Sequence, residues 1–223
     1  MDFLDRNSVA TAGRVSGSGS MISALTLLRW AVEGKVFEAG LGAEDSAIAL
    51  DATFADTTPQ FSLQAPSAKT PLVIPIMAKI SIHNDGSSAT RVELAFTKPA
   101  GLCATSMTLS GTALTSKHSL YRSSPAQTAQ QATTLSNVTA SALVAADYAT
   151  YDYLLPVDAL LTTGKVALGG GPSNVHTWRF LKDGYPHILT SGAAMLIFAS
   201  NSTTDATAKC YMQWAEVTID DLH

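Results

Sequence analysis

The clearest pattern in the sequence is the alternation of apolar and polar residues over residues 71–84, PLVIPIMAKISIHN. Successive side chains of an extended chain point to opposite sides, so this order predicts a β-strand with one apolar face. The residues predicted for that face are Ile74, Ile76, Ala78, Ile80 and Ile82. Pro75 has no N–H to donate, which places it at a sheet edge, at a bulge or near the beginning of a strand.

A second alternating run follows at residues 91–97, after the strong turn signal Asn-Asp-Gly at residues 84–86. Its apolar face consists of Val92, Leu94 and Phe96. Residues 72–98 are therefore expected to form an antiparallel β-hairpin.

Two further β-rich runs, residues 193–200 and 208–219, flank a polar turn and predict a closing hairpin. Together with the first hairpin, these runs are expected to supply both inner faces of a β-sandwich. Phe96 and Trp214 are expected to be buried there.

Residues 24–37, ALTLLRWAVEGKVF, are compatible with a short amphipathic helix or with two strands interrupted near Glu33 and Gly34. The apolar residues do not follow a clean 3.6-residue repeat, which favours strands. Strands and helices never alternate regularly along the chain, so a parallel α/β sheet is not expected. The turn signals predict an all-β fold: an antiparallel two-sheet sandwich, jelly-roll-like, of about eight strands.

Residues 1–20 contain small and polar residues without periodicity, and they predict an N-terminal arm. The arm is expected to lie across a neighbouring subunit. Residues 21–223 are expected to form a single β-sandwich domain, because this length suits one large all-β domain.

Charged residues make up 14% of the chain, against about 25% in ordinary soluble domains. With a mean hydropathy of +0.17, this deficit suggests that much of the surface is covered by other subunits. The alternative is a monomer with a surface of Ser, Thr, Asn and Gln. The 14 Lys and Arg residues are scattered without a run of three, and the net charge is −4. Strong direct binding to nucleic acid is therefore not expected.

The motifs of catalysis, phosphate binding and metal binding are missing from the sequence. It has no G-x-S-x-G, no H-E-x-x-H and no P-loop, and its five histidines show no metal-ligand spacing. We therefore predict no catalytic residues, no cofactor, no metal site and no enzymatic activity. Neither a signal peptide nor an apolar run long enough to span a membrane is evident. Cys103 and Cys210 are expected to be reduced, although a disulfide closing a long loop is the alternative.

Two stretches, FSLQAPSAKTPLVIPIMAKISIHN and GAAMLIFASNSTTDATAKCYMQWAEV, resemble the strands of single jelly-roll capsid proteins of icosahedral viruses. The resemblance concerns the layout of residues 45–220. It implies an eight-stranded sandwich, subunits that share edges around symmetry axes, and no active site. Many such proteins begin with an Arg-rich arm, whereas Arg6 and Arg14 are offset here by Asp2 and Asp5.

The expected function is therefore that of a capsid subunit that assembles into the virion shell after synthesis in the host cytoplasm. Its expected partners are copies of itself and other virion proteins. The alternative is the receptor- or glycan-binding head of a trimeric phage fibre, or a lectin-like module. In that case loops at residues 148–153, which carry three tyrosines, or at 169–174 would hold the glycan. A hydrolase on a β-sandwich is a weaker alternative.

Overall fold

The computed structural model describes residues 24–41, 47–84, 90–103, 107–118, 130–157, 175–181, 186–201 and 206–222. The predicted arm, residues 1–20, lies outside the described residues. Within the described ranges the chain forms one α-helix, α1 (Ala24–Val32), and twelve strands. The strands are β1 (Val36–Gly40), β2 (Ile48–Ala49), β3 (Phe61–Gln64), β4 (Leu72–Asn84), β5 (Thr90–Thr97), β6 (Thr108–Ala113), β7 (Ser116–His118), β8 (Thr133–Ser141), β9 (Tyr148–Val157), β10 (Val175–Arg179), β11 (Ala194–Asn201) and β12 (Ala206–Val217).

The strands form two antiparallel sheets. The first has the order β10-β4-β12-β1-β7, with β2 also paired to β12, and the second has the order β6-β8-β3-β11-β5-β9. Early strands pair with late ones: β1 with β12, β3 with β11, β4 with β10 and β5 with β9. These nested pairs alternate between the sheets, as in a long hairpin wrapped into a jelly roll. The predicted all-β sandwich is confirmed. The eight strands of these pairs form the roll, and the other four are additions to it. Three of the four, β6 to β8, come between β5 and β9 in the sequence.

Both predicted hairpins are wrong. β4 lies in the first sheet and β5 in the second, and likewise β12 and β11 belong to different sheets. An Asn-Asp-Gly signal indicates that the chain reverses, but it does not indicate whether the chain returns within its sheet. Here the chain crosses to the opposite sheet, and β4 instead pairs with β12 along its whole length.

A bulge at Pro75 corrects the predicted face of β4. Met77 pairs with Gln213 while Pro75 pairs with Trp214, so Ile76 is an extra residue in the ladder. As predicted, Ala78, Ile80 and Ile82 pack in the core between the sheets. Ile74 and Ile76 do not, because the bulge turns them to the opposite face, where they pack beneath α1.

Residues 24–32 form a helix, so the preference for strands in this segment was wrong. Leu27, Trp30 and Ala31 of α1 pack on the outer face of the first sheet. The helix ends at Val32. Gly34, two residues beyond, has a φ of 74°, and the amide N–H of Lys35 donates to the carbonyl of Trp30 at 2.8 Å. This is a Schellman ending, in which glycine takes the left-handed conformation without steric cost.

The main core lies between the two sheets and includes Phe37, Phe61, Leu63 and Trp214. Trp214 is fully buried, as predicted, whereas Phe96 is partly buried because it lies at an open edge of the sandwich. β11 is buried along its whole length. One of its faces fills the main core, and the other supports a second apolar cluster on the outer side of the second sheet.

A buried carboxylate joins this core to β8, one of the strands that come between β5 and β9 in the sequence. Glu216 on β12 accepts hydrogen bonds from the amide N–H groups of Gln131 and Ala132, at 2.8 and 3.0 Å, and from the Trp214 indole N–H at 3.0 Å. A buried carboxylate is tolerated when donors surround it in this way. Glu216 therefore fixes the beginning of β8 against β12.

We expect Trp214→Ala to lower the free energy of unfolding by about 3–5 kcal/mol, because it leaves a cavity and removes a donor from Glu216. Denaturant unfolding followed by circular dichroism measures this loss. Leu102→Ala, at a residue that is 69% exposed, is the control and should change stability by less than about 0.5 kcal/mol. A loss below about 1 kcal/mol for Trp214→Ala would contradict the assigned core.

Candidate functional site

The described residues carry large exposed apolar side chains on three sides of the sandwich. The first group, which we name the helix surface, consists of Leu28, Val32, Ile219 and Leu222. The second lies beside the outer cluster of the second sheet and consists of Leu102 and Val144. The third lies at the open edge between β9 and β10 and includes Tyr151 and Ile188. Because large exposed apolar patches mark contact sites, we treat these three groups as candidate contact surfaces.

The helix surface is held in place by hydrogen bonds between α1 and the C-terminal turn, Ile219–Leu222. Arg29 and the Trp30 indole N–H both donate to the carbonyl of Asp221, at 2.6 and 3.2 Å. These bonds bring Leu28 and Val32, one helical turn apart, to the same end of the molecule as Ile219 and Leu222.

An ion pair completes this attachment. Lys35 Nζ lies 2.5 Å from Asp221 Oδ1 and 2.8 Å from Glu33 Oε2, while the Thr218 N–H donates to Asp221 Oδ2 at 2.8 Å. Burial opposes the charge of Asp221, but hydrogen bonds from Lys35 and Thr218 outweigh it, so the pKa of Asp221 lies below its ordinary value. Burial likewise opposes the charge of Lys35, but its bonds to Asp221 and Glu33 raise the Lys35 pKa.

The open edge between β9 and β10 carries a group of rings that we name the aromatic edge: Phe96, Tyr151, Phe180 and His187. The rings of Phe96 and His187 stack with centroids 4.0 Å apart, and Tyr151 meets His187 edge-on at 4.9 Å. Burial lowers the pKa of His187, which favours its neutral form. Tyr151 is 43% exposed and therefore presents part of its ring to solvent.

Asp152, next to Tyr151, connects the two sheets at this edge. Its Oδ2 accepts a hydrogen bond from the Trp178 indole N–H at 2.7 Å and lies 3.4 Å from His176 Nε2. The face of an aromatic ring can stack on the apolar surface of a ligand. A neighbouring carboxylate can accept hydrogen bonds from the ligand's hydroxyl groups. The aromatic edge therefore has the chemistry of a binding surface.

The tyrosines singled out in the sequence divide between two roles. Tyr148 is half-buried against Phe198, and its hydroxyl donates to Asp56 Oδ1 at 2.7 Å. Burial and the Asp56 carboxylate raise the pKa of Tyr148, which therefore stays protonated and acts as a structural residue. Tyr151 is exposed at the aromatic edge. The side chain of Tyr153 and the loop at residues 169–174 lie outside the described residues.

All three tryptophans are buried core residues, as the sequence analysis predicted for Trp214. Cys103 and Cys210 are free thiols, in agreement with the predicted reduced state. Burial raises the pKa of both thiols. A raised pKa favours the protonated thiol, which is the less nucleophilic form.

A shallow groove of about 400 Å³ opens on the outer face of the first sheet. Its lining includes Glu38, Gly40, Leu41, Thr115, Lys117 and Tyr211. The Tyr211 hydroxyl donates to Glu38 Oε2 at 2.7 Å. The walls of this groove come from β1, from β12 and from the region of β7. These segments are far apart in the sequence, so no local pattern indicates the groove.

Among the described residues, no cluster of three or more His, Cys, Asp or Glu side chains could hold a metal ion. Within the same ranges, no helix has the length and apolar character needed to cross a bilayer. Comparisons with family models, curated proteins and solved structures found no match to this chain.

We expect the pair between Lys35 and Asp221 to stabilise the fold in a pH-dependent manner. The lowered pKa of Asp221 gives a contribution that is present above its ordinary value of 3.8 and lost as the pH falls below it. The raised pKa of Lys35 gives one that is present below 10.5 and lost as the pH rises through the folded-state value.

Asp221→Asn should therefore lower the free energy of unfolding at neutral pH by about 1 kcal/mol or less. The difference from wild type should shrink at both pH extremes, as measured by urea unfolding across pH. Asp220→Asn removes the same charge from the neighbouring exposed residue and should have little effect. A difference that is independent of pH would refute the assignment.

Proposed function

We propose that this protein is a capsid subunit that assembles with copies of itself into a virion shell. The observation that carries the proposal is the placement of exposed apolar side chains on three separate sides of a jelly roll. A closed shell requires that each subunit contact several neighbours through different surfaces. Exposed apolar side chains that lie together, as the four of the helix surface do, are typical of surfaces that contact another protein.

Two further observations support the proposal. With 14% charged residues, the surface has few groups that would oppose close association. In addition, the described residues hold no metal-binding cluster, and burial raises the pKa of both thiols, which fits a structural role better than an enzymatic one. In this proposal the protein is made in the host cytoplasm and functions in the virion, together with other virion proteins. The arm at residues 1–20 then serves as a tether to a neighbouring subunit.

The helix surface provides the test of assembly. Leu28 is 56% exposed, so Leu28→Asp should leave the domain folded while a charge disrupts the contact with a neighbour. Negative-stain microscopy and light scattering should reveal closed particles for the wild type and small soluble species for Leu28→Asp.

The matched control is Thr139→Asp, which places the same charge at an exposed position of β8 and should still assemble. Circular dichroism establishes that both variants are folded. Wild-type protein that stays monomeric at all concentrations, or Leu28→Asp that assembles normally, would refute the proposal.

A glycan-binding head is the second candidate, and the aromatic edge is the observation that favours it. The exposed ring of Tyr151 and the neighbouring carboxylate of Asp152 match the way proteins hold sugars, by stacking and by hydrogen bonds to hydroxyls. In this alternative the wild type forms discrete trimers rather than shells.

If the second candidate is correct, the protein should bind members of a glycan array saturably, and Tyr151→Ala should weaken that binding at least about tenfold. Tyr148→Phe, on the outer face of the second sheet, should retain it. Closed shells that bind no glycan would exclude this candidate.

A further inference from the structure

The outer face of the first sheet carries three cationic residues on adjacent strands, which we name the cationic stripe: Arg179 on β10, Lys79 on β4 and Lys209 on β12. Lys79 lies opposite Thr177 on one side and Tyr211 on the other, so Arg179 and Lys209 are its diagonal neighbours. Diagonal positions on paired strands are about 7–8 Å apart. The stripe therefore crosses three strands at regular spacing.

The positions of neighbouring residues establish that these side chains point outward. Trp178, Ala78 and Cys210 lie in the core between the sheets, and each precedes or follows a residue of the stripe. Because side chains alternate along a strand, the stripe faces away from the core. Arg179 and Lys79 are exposed and Lys209 is half-buried. Among the ion pairs of the described residues, none involves any of the three.

The groove described above adjoins the stripe, and Tyr211 forms its nearer wall. Tyr211 follows Lys209 by two residues on the same face and lies directly opposite Gly40. A Cβ at position 40 would lie 2.9 Å from the carbonyl oxygen of Cys210 and 3.5 Å from the Tyr211 ring. Glycine at position 40 thus allows the close approach of β1 to the backbone of β12 at the groove. Lys117 on β7 adds a fourth exposed cation beside the groove.

We propose that this face binds single-stranded nucleic acid, with phosphates along the cationic stripe and one base in the groove beside Tyr211. Tyr211 is half-buried, and part of its ring faces the groove. Spaced cations next to an accessible aromatic ring are the elements with which proteins bind single strands without sequence preference. The inference rests on the proposed function, because in a shell this face of the first sheet would be the inner surface, where a packaged nucleic acid lies. Binding by one subunit is weak, since the protein carries a net charge of −4. In a shell, the weak contacts of many subunits with the same strand add up to stable binding.

This inference also explains why the sequence contains no sign of such binding. Arg179, Lys79 and Lys209 lie far apart along the chain and become neighbours through sheet register alone. The absence of a basic run excludes a strong binding arm, but it does not exclude a cationic surface formed by several strands.

The first test measures the salt dependence of binding to a fluorescein-labelled oligothymidylate by fluorescence anisotropy, with the full chain kept as dissociated subunits. Three neutralised phosphates predict a slope of about −2 in log affinity against log salt concentration. Lys79→Gln should make the slope less steep by about 0.7. Lys69→Gln removes the same charge from an exposed residue away from the stripe and should leave the slope unchanged.

The second test replaces the ring. Tyr211→Leu should weaken binding about tenfold at every salt concentration, because it removes base stacking. The slope should stay the same, since no phosphate contact is lost. Thermal unfolding establishes that the variant is folded, and a variant with unchanged affinity would overturn the role of the groove.

Several outcomes separate this inference from the capsid proposal. Shells that form normally from subunits without affinity for the oligonucleotide overturn the inference and leave the proposal standing. Subunits that bind it with the expected slope but never assemble support the binding face and overturn the proposal. Equal slopes for Lys79→Gln and Lys69→Gln overturn the inference, as does binding to phosphatidylserine vesicles without binding to the oligonucleotide.

Discussion

The structure depends above all on the pairing of β4 with β12 in the middle of the first sheet. Their ladder runs from Leu72 opposite Val217 to Asn84 opposite Ala206. On one side of the bulge, β4 directs its isoleucines into the main core; on the other, it directs them outward to support α1. One irregular position thus divides the strand between two apolar clusters. The helix surface, the C-terminal turn and the cationic stripe are all located relative to this ladder.

The fold class could be predicted because side-chain alternation is a local property. The run at residues 91–97 shows this: Val92 and Leu94 pack in the core between the sheets, as their spacing indicates, and Ala95 packs on the opposite face. Sheet membership is not local. The turn signal at residues 84–86 is equally compatible with a hairpin and with a crossing, and the actual partner of β4 lies at the far end of the chain. Gly34, in the Schellman ending of α1, is a local signal for a helix end, and the prediction of strands for this segment did not take it into account.

The candidate surfaces were less predictable than the fold, for the same reason. Tyr151 was identified from composition, but Phe180 and His187, which complete the aromatic edge, come from other parts of the chain. Nothing in the local sequence around Lys79 indicates Arg179 and Lys209 as neighbours. Surfaces built from several strands require register, and register depends on the wrapped arrangement of the whole roll. A low proportion of charged residues indicated that the surface is unusual, but not which part of it.

The central position of β12 has a consequence for how the protein is made. Among the strands of the two sheets, β12 is synthesised last, yet it pairs with the early strands β1, β2 and β4. Until it emerges, the nascent chain holds β1 and β4 with unpaired edges, which are prone to associate with other chains. The first sheet can therefore close only near the end of translation. Chains truncated before β12 would lack both the centre of that sheet and the carboxylate of Glu216. We therefore expect such incomplete chains not to reach the native fold.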